Sequence, residues 1–304
     1  MGSSADTAMP RFSIVVLTYA RDAVLAEVLD RLYQHVAARQ DYEVILVDNN
    51  VEPAGREKLL ERFAMQRYLR SGTNKGVTAR NDGIDVARGE YVILLDDDVF
   101  IETPDFLDRF AAAFAEDARL GVVTIRKHVR GETGPRVDLI PHTRKNVDLD
   151  RPFPTFRFVG GCVGFRVKTL RAVGGFLSDF FYGLEEVELA YRVIDAGWTI
   201  RYSPEIVVEE LEHPAGRKSK VDSQTDRLTN KYIMTWLHMP FPQNILNYLF
   251  FTPYIVYRAR GEIRVGRAIA RFLKWLGKDD RPRRKPLSPE AVAYIRSCGG
   301  AIWR

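Results

Sequence analysis

Two groups of carboxylates in the 304-residue chain could do chemistry. The first is Asp96-Asp97-Asp98, directly after the apolar run Tyr91-Val-Ile-Leu-Leu95. Three acids at the end of a buried strand repel one another. In extended backbone Asp96 and Asp98 point to one face. Hard oxygen donors of this kind suit Mg2+ or Mn2+, shared with phosphate oxygens. A solvated acidic turn or helix cap is the plainer alternative. The second group is Glu185-Glu186-Val-Glu188, after Gly183. A carboxylate there can take a proton from a hydroxyl, although acids also favour a helix N-terminus on electrostatic grounds alone. Glu188 stands four residues before Arg192, the spacing of a helical ion pair.

These acids need elements to hold them. Phe12–Thr18, Tyr42–Val47 and Tyr91–Leu95 are short apolar runs of the type that forms buried parallel strands. Each ends in polar residues: Thr18-Tyr19, Asp48-Asn49 and Asp96-Asp97-Asp98. Between them, Val24, Leu25, Val28, Leu29, Leu32 and Val36 recur at helical spacing behind Asp22, a candidate cap. Leu59–Arg67 reads as helical and Tyr68–Arg70 as a weak strand. Val77–Ala87 and Pro104–Glu116 read as helices, and Gly121–Ile125 as a strand. Residues 130–154 read as a long irregular connection, a candidate binding loop. A glycine-rich stretch, Gly160–Gly164, follows it. Lys168–Val173 and Gly183–Ala196 read as helices, and Trp198–Tyr202 as a short strand. Alternation of this kind predicts an α/β fold with a mostly parallel sheet. Ligands bind such sheets beyond the carboxyl ends of the strands, where the three polar ends converge. Neither a Gly-x-Gly-x-x-Gly nor a Gly-x-x-x-x-Gly-Lys motif follows any strand, which removes the main support for dinucleotide and P-loop readings.

Composition narrows the class. Hydrophobic residues make up 46% and charged residues 28%, ordinary for a folded soluble protein. Cys162 and Cys298 are far apart and form no metal motif, so a reducing, cytoplasmic setting is expected. Residues 1–10 are polar and expected to be disordered, with no apolar core of a secretory signal. The net charge is +5, but residues 258–285 carry eleven Lys/Arg against three acids and are +8, leaving −3 elsewhere. Basicity therefore belongs to the C-terminal part, and no nucleic-acid partner is implied. There, Arg264, Arg267, Arg271, Lys274 and Lys278 form a basic edge beside Val265, Ile269, Phe272 and Leu276. Such a helix either packs on the rest of the chain with its stems covering apolar surface or touches a membrane peripherally, at the inner surface. The run Ile245–Tyr257 is too short to span a bilayer, and it reads as a buried helix in preference to an interfacial one.

The ordered motifs resemble one family. Thr18-Tyr-Ala-Arg21, Val47-Asp-Asn-Asn50, Asn74-Lys-Gly-Val-Thr-Ala-Arg-Asn81, Leu94-Leu-Asp-Asp-Asp-Val99, Gly174-Gly-Phe176, Gly183-Leu-Glu-Glu-Val-Glu-Leu-Ala-Tyr-Arg192, Ala196-Gly-Trp198 and Tyr202-Ser-Pro204 follow the order of family 2 glycosyltransferases of the GT-A fold. The resemblance covers roughly residues 11–240. It implies a catalytic domain there, with a nucleotide-sugar half over about 11–125 and an acceptor half over about 126–240. A helical, basic extension would follow over 241–304. It implies a nucleoside-diphosphate sugar donor, a hydroxyl acceptor and a divalent cation, Mn2+ or Mg2+. Bacterial glycans, lipid-linked glycans and natural products are all open as acceptors. Thr18, Tyr19 and Arg21 would lie at the nucleotide, Asp48 at its base, and Lys75 and Arg80 in the nucleotide region. Asp96 would face ribose or metal, with Asp97 on the donor side, and Asp98 would ligate the metal directly. His213 would complete the metal site, although the acidic stretch Glu205–Glu212 before it is longer than usual. His35, His128, His142 and His238 lack a comparable context. Glu186 would be the base of an inverting displacement, with Glu185 as its understudy. The Glu-Glu pair departs from the commoner Glu-Asp form. The competing readings are a nucleotidyltransferase acting on a sugar phosphate, which would not need Glu186, and a non-catalytic nucleotide-sugar-binding protein.

Overall fold

The computed structural model describes residues 9–52, 56, 59, 61–63, 65–142, 146–213, 215 and 218–301. The first half of the chain builds β1 (Phe12–Thr18), α1 (Asp22–Val36), β2 (Tyr42–Asp48), β3 (Arg67–Arg70), a 3-10 turn (Gly76–Ala79), α2 (Arg80–Val86), β4 (Tyr91–Asp96), β5 (Val99–Ile101), α3 (Phe106–Glu116) and β6 (Leu120–Val129). The second half adds β7 (Phe153–Thr155), β8 (Cys162–Arg166), α4 (Val167–Val173), α5 (Glu185–Asp195), β9 (Thr199–Glu210), α6 (Lys220–His238), α7 (Gln243–Ala259), α8 (Val265–Leu276) and α9 (Pro289–Ser297).

One sheet runs β3-β2-β1-β4-β8-β6-β9-β5, with β7 on β9. Strands β3, β2, β1 and β4 are parallel, so their polar ends share one edge. Strand β8 then inserts antiparallel to both β4 and β6, and β6 pairs parallel with β9. The sheet is therefore parallel in its first half and mixed in its second. The glycine-rich stretch is this inserted strand. Gly164 lies under Phe110, and a Cβ there would collide with the ring, so glycine permits the close packing of sheet and α3.

Period-two alternation divides the strands between two cores. Phe12, Ile14 and Val16 pack with α1 and α3, whereas Val15 packs on the other face with α2, α4 and α5. Trp275 of α8 and Ala291 and Ile295 of α9 share that second core. The Tyr294 hydroxyl also donates to the Ile200 carbonyl at 3.1 Å. Much of the C-terminal region is thus built into the α/β body.

The remaining differences from expectation are local. The helix predicted over 59–67 falls partly outside the described residues, and Arg67 already belongs to β3. The predicted irregular connection contains β7, and its residues 143–145 lie outside the described ones. The short strand at Trp198–Tyr202 extends to Glu210 through an irregularity in its pairing with β6. Of residues 1–10, predicted to be disordered, residues 1–8 lie outside the described residues, and Pro10 is buried.

Candidate active site

The end of β1 is fastened to the acidic turn. Thr18 Oγ1 and the Tyr19 amide both donate to Asp97 Oδ2, at 2.8 and 2.9 Å. Arg21 Nη1 lies 2.8 Å from Asp97 Oδ1 and 2.6 Å from Asp98 Oδ2. Ala20 between them is left-handed, at φ 61°, and its amide donates to Asn50 Oδ1 at 2.9 Å. Such a conformation persists where its surroundings over-determine it. Arg21 rather than Asp22 occupies the cap position of α1, and Asp22 pairs with Arg56.

Strand β4 ends at Asp96, and Asp97 and Asp98 lie in the turn beyond it. The expectation that Asp96 and Asp98 share a strand face therefore does not apply. The three acids take different partners. Asp96 pairs with Arg80 at 2.5 Å, while Asp97 and Asp98 share Arg21. Burial pushes the Asp97 carboxyl up to about 6. Burial first, and then the neighbouring Asp96, push Asp98 up to about 7.

Two residues missed by the sequence reading complete this cluster. Lys127 of β6 pairs with Glu210 of β9 at 2.8 Å and donates to the Gly160 carbonyl at 3.0 Å. A charged residue in a strand, almost covered, was the available signal. The Asp96 amide donates to the Gly161 carbonyl at 2.8 Å, so the glycine pair is tied to both the acidic turn and Lys127. Four carboxylates (Asp96, Asp97, Asp98 and Glu210) thus surround three cations (Arg21, Arg80 and Lys127). A surplus of carboxylate oxygen over cationic partners is suitable donor chemistry for Mg2+ or Mn2+, so Asp96 and Asp98 fit as ligands.

His213 follows β9, and just past that strand the Leu211 amide donates to the Asp98 carbonyl at 2.9 Å. Its Nδ1 accepts from the Ala215 amide at 3.2 Å, and the Ala215 carbonyl accepts from Arg21 Nε at 2.9 Å. The chain therefore brings His213 to the same edge. The ligand atoms of Asp96, Asp98 and His213 do not close to within 4.8 Å of one another, however. Among the described residues, the groups that do are Glu102, His128 and Glu209. His128 thus has acidic company that the sequence reading did not give it. His238 likewise is buried and meets Glu188 at 2.8 Å.

Two predicted donor-side residues are otherwise engaged. Asp48 is wholly buried: its Oδ1 accepts from the amide and side chain of Asn50, and its Oδ2 from the Tyr68 hydroxyl at 2.7 Å. It forms an Asx turn that holds Asn50. Lys75 Nζ pairs with Asp82 at 2.7 Å on a partly exposed surface, the role of an ordinary helix-start charge. The Lys75 amide, by contrast, is held by Asn49 Oδ1 at 2.8 Å. Gly76 seats against Phe181, where a Cβ would collide with the carbonyl oxygen. The turn after β3 is thereby docked on the loop that leads to the glutamates.

That loop is strained in the same way as Ala20. Gly183 and Leu184 are both left-handed, at φ 88° and 68°. Asn230 of α6 clamps them by donating to the Tyr182 and Gly183 carbonyls, at 3.1 and 2.7 Å. Glu185 and Glu186 then open α5. Glu185 is 4% exposed, and its Oε2 has no hydrogen-bond partner among the described residues. Burial and the adjacent Glu186 push its carboxyl up to about 8. Glu186 is half-buried, and its Oε1 stands where a Cβ on Gly160 would be. Buried Arg80 joins the two acidic groups. Burial works against its charge, but Asp96, Glu185 and Glu186 together raise its affinity for the proton. Glu188 is structural, as its spacing implied, and pairs with Arg192 at 2.7 Å.

The family model described as "Glycosyl transferase family 2" matches residues 13–174, just over half of the chain, and includes Thr18, Arg21, the acidic turn and Lys127. The chain belongs to that family. Among curated family relatives, the validoxylamine A glucosyltransferase of Streptomyces hygroscopicus subsp. limoneus is 26% identical over 267 residues, covering 75% of this chain and 58% of that protein. The poly(ribitol-phosphate) beta-glucosyltransferase of Bacillus spizizenii is 29% identical over 145 residues, covering 43% of this chain and 23% of that protein. The chain thus spans between about a quarter and three fifths of these relatives. Among solved structures, the mannosyltransferase PcManGT of Pyrobaculum calidifontis, in complex with GDP-Man and Mn2+, superposes with a TM-score of 0.60 at 20% identity. The match covers 96% of this chain and 80% of that one. Staphylococcus aureus TarS 1-349 in complex with UDP-GlcNAc gives 0.56 at 17% identity, covering 82% and 73%. These likenesses establish the GT-A fold of this family 2 chain.

Proposed function

We propose that this family 2 protein is a glycosyltransferase. It moves a sugar from a nucleoside-diphosphate sugar to an acceptor hydroxyl with inversion. The observation that carries the reading is the meeting of the acidic turn with the glutamate pair through Arg80, whose guanidinium pairs with Asp96 and feels both Glu185 and Glu186. Donor chemistry and proton acceptance thus lie side by side.

In this reading Thr18, Tyr19 and Arg21 shape the nucleotide edge, and Asp97 fixes them. Asp48 acts indirectly, by holding the Asn49-Asn50 turn. Lys75 belongs to the same nucleotide edge through its backbone. Asp98 and Asp96, with His213, would hold Mn2+ or Mg2+, which supplies positive charge to the departing diphosphate. Arg80 lies ready to hold negative charge near the anomeric centre. The acceptor oxygen forms a bond to the anomeric carbon as the bond to the diphosphate breaks, and Glu186 takes the hydroxyl proton. Glu186 suits this role because it is accessible beside Gly160, whereas Glu185 is enclosed. The relatives named above are called poly(ribitol-phosphate) and validoxylamine A glucosyltransferases, which supports a hydroxyl acceptor here.

A donor panel with Mn2+, scored by nucleoside diphosphate release, tests the reading. Release of diphosphate with one sugar nucleotide is expected. Pyrophosphate release from a sugar phosphate and a nucleoside triphosphate would instead establish the nucleotidyltransferase. Tight nucleotide-sugar binding without turnover, across a broad set of acceptors, would favour the binding protein.

A further inference from the structure

Helix α7 contradicts the sequence expectation that Ile245–Tyr257 is buried. One side of it is indeed packed: Tyr248, Phe251 and Ile255 meet Leu228 and Tyr232 of α6 and Ala268 of α8. Asn247 is held by Thr235 Oγ1 at 2.8 Å, and the Tyr248 hydroxyl donates to the Tyr232 carbonyl at 3.0 Å. The other side is an uncovered apolar stripe. Leu246, Phe250, Tyr254 and Tyr257 follow at intervals of four, four and three residues, and Leu249 stands three after Leu246, so they share one face. Leu249 is 62% exposed, Phe250 63% and Tyr257 81%. Ile269 and Leu273 of the neighbouring α8 are exposed as well. A single exposed leucine needs no explanation, but a contiguous apolar face does.

The charges around this stripe identify what covers it. From Gln243 to Tyr257 the helix carries no charged residue, and it is followed at once by Arg258 and Arg260, both exposed. These two and the exposed Lys274 of α8 have no ion-pair partner among the described residues. The rest of the predicted basic edge is paired within the chain: Arg271 with Asp226 of α6 at 2.6 Å, Arg267 and Arg264 with Asp222 at 3.4 and 4.0 Å, and Lys278 with Asp179 at 2.5 Å. Among the described residues from 243 to 278, the cations left without an ion-pair partner are thus Arg258, Arg260 and Lys274. An apolar face with unpaired cations at its margin complements an anionic phospholipid surface, where acyl chains accept the apolar groups and headgroups the charge. A second copy of the same face would bring its own unpaired cations. Among the described residues no helix is long and apolar enough to cross a membrane, so α7 would lie in the plane of the interface.

We propose that α7 seats this protein on anionic membranes, with Leu249, Phe250, Tyr254 and Tyr257 inserted below the headgroups and Arg258, Arg260 and Lys274 among them. The helix that does this is α7 rather than the basic α8. The inference is independent of the proposed reaction.

Co-sedimentation with phosphatidylcholine vesicles, with and without about a third phosphatidylserine, tests it on the full chain. The intact protein should bind the anionic vesicles and release them as salt rises. Arg258→Gln with Arg260→Gln should weaken binding about 30-fold, from about 1 kcal/mol per cation near such a surface. Leu249→Ser with Phe250→Ser should weaken it at least about 100-fold, from the apolar area withdrawn. Arg267→Gln should change it little, because that cation is already paired. Thermal unfolding of all variants should match the parent, since every altered side chain is exposed. Failure of the intact protein to bind anionic vesicles at low salt would overturn the proposal. So would equal binding to neutral vesicles, or a doubled mass in light scattering that Leu249→Ser with Phe250→Ser abolishes while vesicles are ignored.

Discussion

Exchanging each acid of the Glu185–Glu186 pair for its amide should give opposite signatures in stability and rate. Glu186 is half-buried beside Gly160, so Glu186→Gln keeps its shape and should leave the melting temperature unchanged at pH 5, where Glu185 is protonated. It cannot take the acceptor proton, and kcat should fall by about 100-fold or more. Glu185 is 4% exposed with an oxygen unpartnered among the described residues, and burial together with Glu186 raises its carboxyl to about 8. An acid whose folded value is raised contributes stability that is fully present below its unfolded value, 4.5, and is lost as pH rises toward the folded value. In that window the parent loses up to ~1.4 kcal/mol per pH unit relative to a group that does not titrate. Arg80 partly offsets the loss, so Glu185→Gln should gain about 1–3 kcal/mol over the parent between pH 5 and pH 8. At about 2 °C per kcal/mol, that is a gap of several degrees at pH 8 which closes toward pH 5. Thermal unfolding at pH 5, 6, 7 and 8, beside single-turnover rates, reads both quantities. A gap that does not widen with pH would refute the burial argument. A normal rate in Glu186→Gln with a dead Glu185→Gln would move the base to Glu185. Normal rates in both would remove general-base catalysis by this motif.

Other consequences follow from the same contacts. Asp98→Asn should abolish the Mn2+-dependent part of nucleoside diphosphate binding in calorimetry, and full activity of that variant under a chelator would remove Asp98 from the metal. For Glu188, burial alone would raise the carboxyl, but His238 and Arg192 outweigh it and hold it below its ordinary range. Its contribution to stability is therefore present above the ordinary carboxylate value and lost as pH falls. Arg192→Met should leave that acid short of a charge partner and cost about 3 kcal/mol in denaturant unfolding at neutral pH, whereas an unchanged midpoint would show the pair to be dispensable. Gly164→Ala should cost about 1–3 kcal/mol by driving a methyl into Phe110. A neutral result would mean that sheet and α3 separate without penalty.

The sequence was most informative where periodicity and chemistry coincide. The runs at Phe12, Tyr42 and Tyr91 are strands buried on both faces, and their polar termini meet at one edge because β1, β2 and β4 are parallel. Glu188 was legible as an ion pair because four-residue spacing fixes helical neighbours. Strand β8 was not legible, because glycine in a strand has the same letters as glycine in a loop. Its reason for being there is Phe110, more than fifty residues earlier. Asp48 reads as an exposed polar strand end, and only the distant Tyr68 and Arg56 make it a buried acceptor. Lys127 and Glu210 belong to different strands and gain meaning only when β6 and β9 pair.

Helix α7 shows the same limit from the other side. An unbroken apolar run reports that a segment avoids water, but not what replaces the water. In α5, apolar positions alternate with charges, so the pattern itself names the buried face. In α7 nearly every position from Ile245 to Tyr257 is apolar, and no face is marked. The fold settles the question by supply: α6 and α8 cover one side through Leu228, Tyr232 and Ala268, and no described element covers the other. The basic edge of α8 was equally ambiguous until Asp222 and Asp226 claimed its arginines. Partners in the chain thus removed the cations that looked most suited to lipid and, among the described residues from 243 to 278, left Arg258, Arg260 and Lys274 unpaired. Charge and apolar area point to one surface only after the fold has spent the rest, which is why vesicle binding should respond to Phe250 and Arg258 and be indifferent to Arg267.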